Sequence, residues 1–263
     1  MKRIRGEGNR LTGEPGNRVT KLIGELVNRL IGELIYRSIG ELFYWRIGEL
    51  MNLKDTLKII SFDVDGTLVD PEYNDLIWFK EIPQLLAKKR QIPFKDAKII
   101  ALQEYNNLGN HNLKWYDIKY WISYFDLEVS YIKILEKYES KVKIFSDVIP
   151  ALEELKLFYI IIAITAMPRE FLIPKMKKLK KHFKYTFSAL SDFKELKNTE
   201  IYSKISKILN VSPEQILHIG DNWEFDYLAA RKAGLNALYL DRSNTKKEKH
   251  VINNLGEINK IIE

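Results

Sequence analysis

From residue 57 onward the apolar positions fall into short continuous runs separated by stretches of helical period. Leu57–Val64, Phe158–Thr165, Ile216–Gly220 and Ala237–Leu240 are rich in Ile, Val and Tyr, and a weaker run covers Tyr185–Leu190. Between the later runs, Pro168–Lys181, Thr199–Leu209 and Glu224–Ala233 repeat their apolar residues at the spacing of a helix, and Gly234 supplies a C-terminal stop. Strands that are apolar on both faces, alternating with helices, predict a parallel sheet covered on both sides: an α/β core of Rossmann-like type.

The first two strands are separated by roughly 80 residues with no strand pattern but several amphipathic helical stretches, too many for one crossover. This predicts an inserted α-helical cap domain over 72–146, with 51–71 and 147–263 forming the α/β core. Trp78, Trp115 and Trp121 are expected to be the core of that cap, not a ligand platform.

Residues 1–50 follow another rule. Ile-Gly-Glu-Leu recurs at 23–26, 31–34, 39–42 and 47–50, and Gly-Asn-Arg recurs at 8–10 and 16–18 with the same eight-residue step. Eight residues turn an α-helix by about 800°, so an apolar stripe drifts around the helix and holds no lasting face. Each repeat also places a glycine inside the helix, at about 1 kcal/mol. The expectation is a poorly ordered repeat extension ahead of a core that could begin at Met51; an interaction arm is the alternative.

Composition narrows the chemistry. The chain has 263 residues, 46% hydrophobic and 29% charged, ample for a buried core. It has no cysteine and four histidines, so disulfides and thiolate metal sites are excluded and any metal is expected on oxygen ligands. No segment reaches the ~20 apolar residues of a membrane span, and the first residues lack the apolar stretch of a signal sequence. A cytoplasmic protein without membrane partners is expected. The net charge of +7 has its densest seat at Lys175–Lys184. There lysines alternate with Met176, Leu179 and Phe183 as on a solvated helix face, so nucleic-acid binding is not expected. Oligomeric state is not legible.

Ligands of open parallel sheets bind beyond the carboxyl ends of the strands. The first strand ends in Ser61-Phe62-Asp63-Val64-Asp65-Gly66-Thr67-Leu68, and side chains two apart on an extended chain point the same way, so Asp63 and Asp65 face one site. Paired carboxylates repel unless a cation lies between them. The second long strand ends in Thr165-Ala166-Met167-Pro168, where a hydroxyl followed by a helix start makes a phosphate cradle. The fourth ends in Gly220-Asp221-Asn222, with Asp226 five residues beyond Asp221.

In order and spacing, DVDGTLVD at 63–70, the strand-terminal Thr165, Lys197 before a helix, and GDNWEFD at 220–226 resemble the four motifs of haloacid dehalogenase (HAD) superfamily hydrolases. The helix YLAARKAG at 227–234 and the cap position resemble those of members whose lid is a helical bundle. The resemblance implies a phosphatase in which Asp63 is the nucleophile and Asp65 the general acid and base. It also implies that Asp63, the Asp65 carbonyl and Asp221 hold Mg²⁺, that Asp226 orients the metal shell, and that Thr165, the Ala166 N–H and Lys197 bind the phosphoryl oxygens. The expected partner is a small phosphorylated substrate. Two departures stand out: Lys197-Asn198 lacks the proline usual after that lysine, which leaves Lys194 as a competitor, and Ala166 offers only its backbone where asparagine is common. Asp65 favours the phosphatase and phosphomutase branch, so a sugar phosphomutase is the first alternative and an assembly protein using the repeat arm the second. No histidine is given a role: His218 is expected in the core, and His111, His182 and His250 at the surface.

Overall fold

The computed structural model describes residues 53–246 and 248–262; the octad repeats and the Met51 start lie outside the described residues. Six strands form one parallel sheet: β1 (Ile59–Phe62), β2 (Ile160–Thr165), β3 (Tyr185–Ser188), β4 (Ile216–Gly220), β5 (Asn236–Leu240) and β6 (Val251–Ile252), in the order β3-β2-β1-β4-β5-β6. The register sets Phe62 beside both Ala163 and Ile219, which brings the ends of β1, β2 and β4 to one level. Two differences from the sequence pattern follow from pairing. β1 is shorter than the Leu57–Val64 run, although the Asp63 N–H still donates to the Ile219 carbonyl (2.9 Å). β6 is too short to show as a run and is recognised only by pairing with β5.

Both faces of the sheet are packed, as the continuous apolar runs require. Ile60, Phe62, Ile161, Ala163, Leu217 and Ile219 point to one side, against Val148, Leu152, Leu172, Met176 and the C-terminal Ile258 and Ile262. Ile59, Ile162, Ile164 and Ile216 point to the other, against Ile201, Tyr202, Ile205 and Ala230.

The segment between β1 and β2 is helical. Its elements are α1 (Glu72–Leu76), a π-helical turn (Ile77–Glu81), α2 (Ile82–Arg90), α3 (Phe94–Leu108), α4 (Ile118–Tyr124) and α5 (Tyr131–Tyr138). Tyr73, Trp78, Ile82, Leu86, Ala101, Tyr105, Trp121 and Ile134 form its core, joined by Met167 and Phe171 from beyond β2. Trp78 stacks on Phe171 with ring centres 5.4 Å apart. Where the chain enters and leaves this segment the two crossings pair: the Asp70 N–H donates to the Lys143 carbonyl (2.9 Å) and the Phe145 N–H to the Leu68 carbonyl (3.2 Å).

Among the described residues the helices flanking the sheet include α6 (Val148–Leu155), α7 (Arg169–Met176), α8 (Thr199–Leu209), α9 (Ala229–Lys232) and the C-terminal α10 (Ile258–Ile262). Asn198 caps α8 by accepting from the Ile201 N–H (3.0 Å). A π-helical turn at Trp223–Leu228 precedes α9, and Gly234 follows it at φ +89°. α7 ends at Met176, short of the expected Lys181, and carries Pro174, which removes one backbone donor, in its last turn. Two side-chain expectations are corrected. Lys175 is buried at 1% exposure, not solvated, because it shares the inward face of α7 with Phe171 and Leu172. His182 is buried too, not on the surface.

Candidate active site

At the carboxyl end of β1 the backbone must turn sharply away from the sheet while delivering two acids. Gly66 makes this turn at φ +74°, and a Cβ there would lie 2.1 Å from Asp221 Oδ2, so only glycine lets the β1 and β4 loops approach. The β4 loop has the same constraint: a Cβ on Gly220 would lie 2.2 Å from Asp226 Cγ. Thr67 Oγ1 ties the two loops by donating to Asp221 Oδ1 (3.0 Å). The π-helical turn after Asn222 then carries Asp226 back beneath the site, where its Oδ2 accepts from the Asn222 N–H (2.8 Å).

The result is three carboxylates, Asp63, Asp221 and Asp226, whose nearest oxygens all lie within 4.8 Å of one another. Lys197, 2% exposed, is set among them from the loop before α8. Its Nζ donates to Asp63 Oδ1 (2.5 Å) and the Ile164 carbonyl (3.3 Å), and pairs with Asp226 Oδ1. Lys194 is exposed, at φ +59°, and takes no place in the cluster. Thr165 is 1% exposed at the end of β2; its Oγ1 accepts from the Met167 N–H (3.2 Å) and so begins the turn into α7, with Ala166 half-buried between them.

Electrostatics follow from this crowding. Burial, with Asp226 and Asp221 close by, pushes the Asp63 carboxyl well above the usual range in spite of Lys197. Burial and then Asp226 push Asp221 up to about 6. Burial works to raise Asp226 also, but Lys197 and His218 hold it down to about 2. Burial opposes the charge on Lys197, and Asp226 and Asp63 more than reverse that, keeping it an ammonium. His218, fully buried on β4, is core as expected, yet its ring is tied in: Nδ1 lies 2.9 Å from Ser61 Oγ and Nε2 lies 3.3 Å from Asp226 Oδ1. Burial lowers its pKa, favouring a neutral ring.

Asp65 stands apart from this cluster. Its Oδ1 accepts from Asn74 Nδ2 (2.9 Å) and from the buried Lys175 ammonium, neither of which the sequence pattern singles out. The signal for Lys175 was present: it sits four residues after Phe171 on a helix, the spacing of one face.

A hard divalent cation fits this donor set. Buried carboxylates with raised pKa values at one point are relieved by positive charge, and all the available donors are oxygens, which suits Mg²⁺. Asp63 and Asp221 are placed to hold it. Asp226, taken from sequence as an outer support, lies close enough to reach the same point while also anchoring Lys197.

Residues 57–234 match the family model of haloacid dehalogenase-like hydrolases, and the chain belongs to that family. Over 97 residues it is 28% identical to the GMP/IMP nucleotidase YrfG of Escherichia coli K12, a match covering 37% of this chain and 42% of the nucleotidase. The chain thus spans less than half the length of that curated relative. Among solved structures, a HAD phosphatase from Thermococcus onnurineus superposes with a TM-score of 0.71 at 25% identity, over 78% of this chain and 98% of that one. The HAD-hydrolase YfnB of Bacillus subtilis, solved bound to magnesium, shares the fold at TM-score 0.57 and 18% identity, over 78% and 98% of the two chains. Among the described residues no helix is long and apolar enough to cross a membrane.

Proposed function

We propose that this protein is a Mg²⁺-dependent phosphomonoester hydrolase that acts on a small phosphorylated metabolite through an aspartyl-phosphate on Asp63. The observation that carries the reading is the placement of Lys197 between Asp63 and Asp226 beside Asp221, a buried charge constellation with a cation-binding point at the end of the central strands. Structural ion pairs explain it less well, because they leave two of the three carboxylates with raised pKa values.

In the first step an Asp63 carboxylate oxygen attacks phosphorus, the phosphorus–oxygen bond to the alcohol breaks, and the departing oxygen takes a proton from Asp65. In the second, Asp65 accepts a proton from the water that attacks the same phosphorus, and inorganic phosphate leaves with Asp63 restored. Lys197, Thr165 and the Ala166 N–H balance charge on the phosphoryl oxygens, where such transition states gain most of their stabilisation. Asp63, the Asp65 carbonyl and Asp221, with Asp226 beside them, would hold Mg²⁺, which would supply further positive charge there. The helical segment 72–146 serves as a cap whose closure selects the substrate, in a protein of the cytoplasm.

The test is a panel of phosphorylated metabolites, purine nucleoside monophosphates included because the partly overlapping relative is a GMP/IMP nucleotidase. Phosphate release should require Mg²⁺, and Ca²⁺ should replace it poorly because calcium takes looser, higher coordination. Undiminished hydrolysis in excess chelator would overturn the reading.

A further inference from the structure

Lys175 is as fully buried as the aliphatic core, yet its ammonium has only two polar partners among the described residues, Asp65 Oδ1 and Asn74 Oδ1 (2.8 Å). Its other sides face aromatic rings, with Nζ 5.4 Å from the centre of Tyr73 and 5.9 Å from that of Phe171. Asn74 closes the triangle by donating through Nδ2 to the same Asp65 Oδ1 (2.9 Å). Two donors thus converge on one carboxylate oxygen. The other, Asp65 Oδ2, is buried and has no hydrogen-bond partner among the described residues.

A carboxylate's last torsion is soft, so an aspartate beside a turn ordinarily samples a broad range of orientations. Here Oδ1 is clamped from α7 on one side and from α1 on the other, which fixes the carboxylate plane and leaves Oδ2 as the oxygen free for a proton. An ammonium is expensive to bury and is held here by the very group that uses the clamp.

We propose that Lys175 and Asn74 are positioning residues for Asp65: they bind one of its oxygens so that the other is presented to the leaving group and then to water. The proposal rests on Asp65 being the proton donor and acceptor of the reaction. Lys175 reaches Asp65 from the sheet side and Asn74 from the first turn of the helical segment, so the orientation depends on both regions being in place.

The experiment measures kcat/KM, which reports the first displacement, for a series of aryl phosphates from dinitrophenyl to phenyl at saturating Mg²⁺. The proteins compared are wild type, Lys175→Met, Asn74→Ala, Asp65→Asn and the two double variants carrying Asp65→Asn. Lys175→Met should lower kcat/KM by about 10- to 100-fold for phenyl phosphate, part of the range general acid–base catalysis supplies, and far less for the dinitrophenyl ester, which leaves without a proton. Asn74→Ala should show the same slope with a smaller loss, and it decides the matter if Lys175→Met does not fold. In the Asp65→Asn background neither substitution should cause further loss, as expected of residues acting through one group. A loss equal across the series, or one that multiplies with that of Asp65→Asn, overturns the proposal and leaves the role of Asp65 standing. If Asp65→Asn itself shows no dependence on the leaving group, the proton-transfer reading falls and takes this proposal with it.

Discussion

Replacing Asp221 by asparagine should make the metal-free protein more stable. Asp221 holds its proton up to about pH 6 because burial and the neighbouring Asp226 disfavour its charge. An unfolded aspartate titrates near 3.9, so the difference of about two pH units corresponds to ~3 kcal/mol of destabilisation at neutral pH, at 1.36 kcal/mol per unit. The side chain keeps partial water contact, which reduces the expectation to about 2 kcal/mol. The sign is that of a carboxyl with a raised folded-state pKa: the penalty is absent below about pH 4, grows between pH 4 and 6, and is complete above that. Asparagine has no charge to bury and can still accept from Thr67 Oγ1. In chelator at pH 7.5 the variant should therefore melt about 4–8 °C above wild type, with the advantage vanishing as pH falls towards 4. Mg²⁺ should then stabilise wild type more than the variant, since a ligand stabilises in proportion to its affinity for the folded state. Calorimetry across pH with and without the ion measures both effects. A variant less stable than wild type in chelator at pH 7.5, or an advantage unchanged at pH 4.5, would refute the reasoning.

Three further outcomes are expected. Asp63→Asn should form no phosphoenzyme and lose about a thousandfold or more in turnover; an ~80 Da adduct on that variant by intact mass would exclude Asp63 as nucleophile. Gly66→Ala forces a side chain into left-handed backbone at about 1–2 kcal/mol and sets its Cβ 2.1 Å from Asp221 Oδ2, so the Mg²⁺ concentration for half activity should rise; an unchanged midpoint would mean that the loops can part freely. A protein beginning at Met51 should turn over substrate at the full-length rate, and loss of its cooperative thermal transition would assign the preceding residues a part in folding.

The carboxylates were legible because short-range rules place them. Asp63, Gly66 and Asp221 each follow a strand whose both-face burial shows in composition, whereas the Asp65 carboxylate, expected to face one site with Asp63, is held by Lys175 and Asn74 outside the cluster. The order of the sheet and the level at which β1 and β4 end are properties of pairing that no single run contains. Lys175 was hidden by its company. In KMKKLKKHFK five of the nine residues that follow Lys175 are lysine, so its charge reads as solvation, whereas position on α7 relative to Phe171 and Leu172 decides burial. His218 reads as core and is core, but the partners of a buried ring across a sheet, Ser61 and Asp226, depend on tertiary placement. The π-helical turn that swings Asp226 under Asp221 has no composition signal of its own.

The adjacency of β1 and β4 also has a bearing on how the protein comes into being. Asp63 leaves the ribosome long before Asp221 and Asp226, and at 5–20 residues per second the interval between them is roughly 8–30 s. The helical segment, whose packing is largely local, has its whole sequence available within that time, while β1 must wait for its neighbour. A nascent chain therefore carries Asp63 without the acids that complete its setting, and the proposed hydrolysis of phosphate esters would become possible only once β4 and the turn after it are translated.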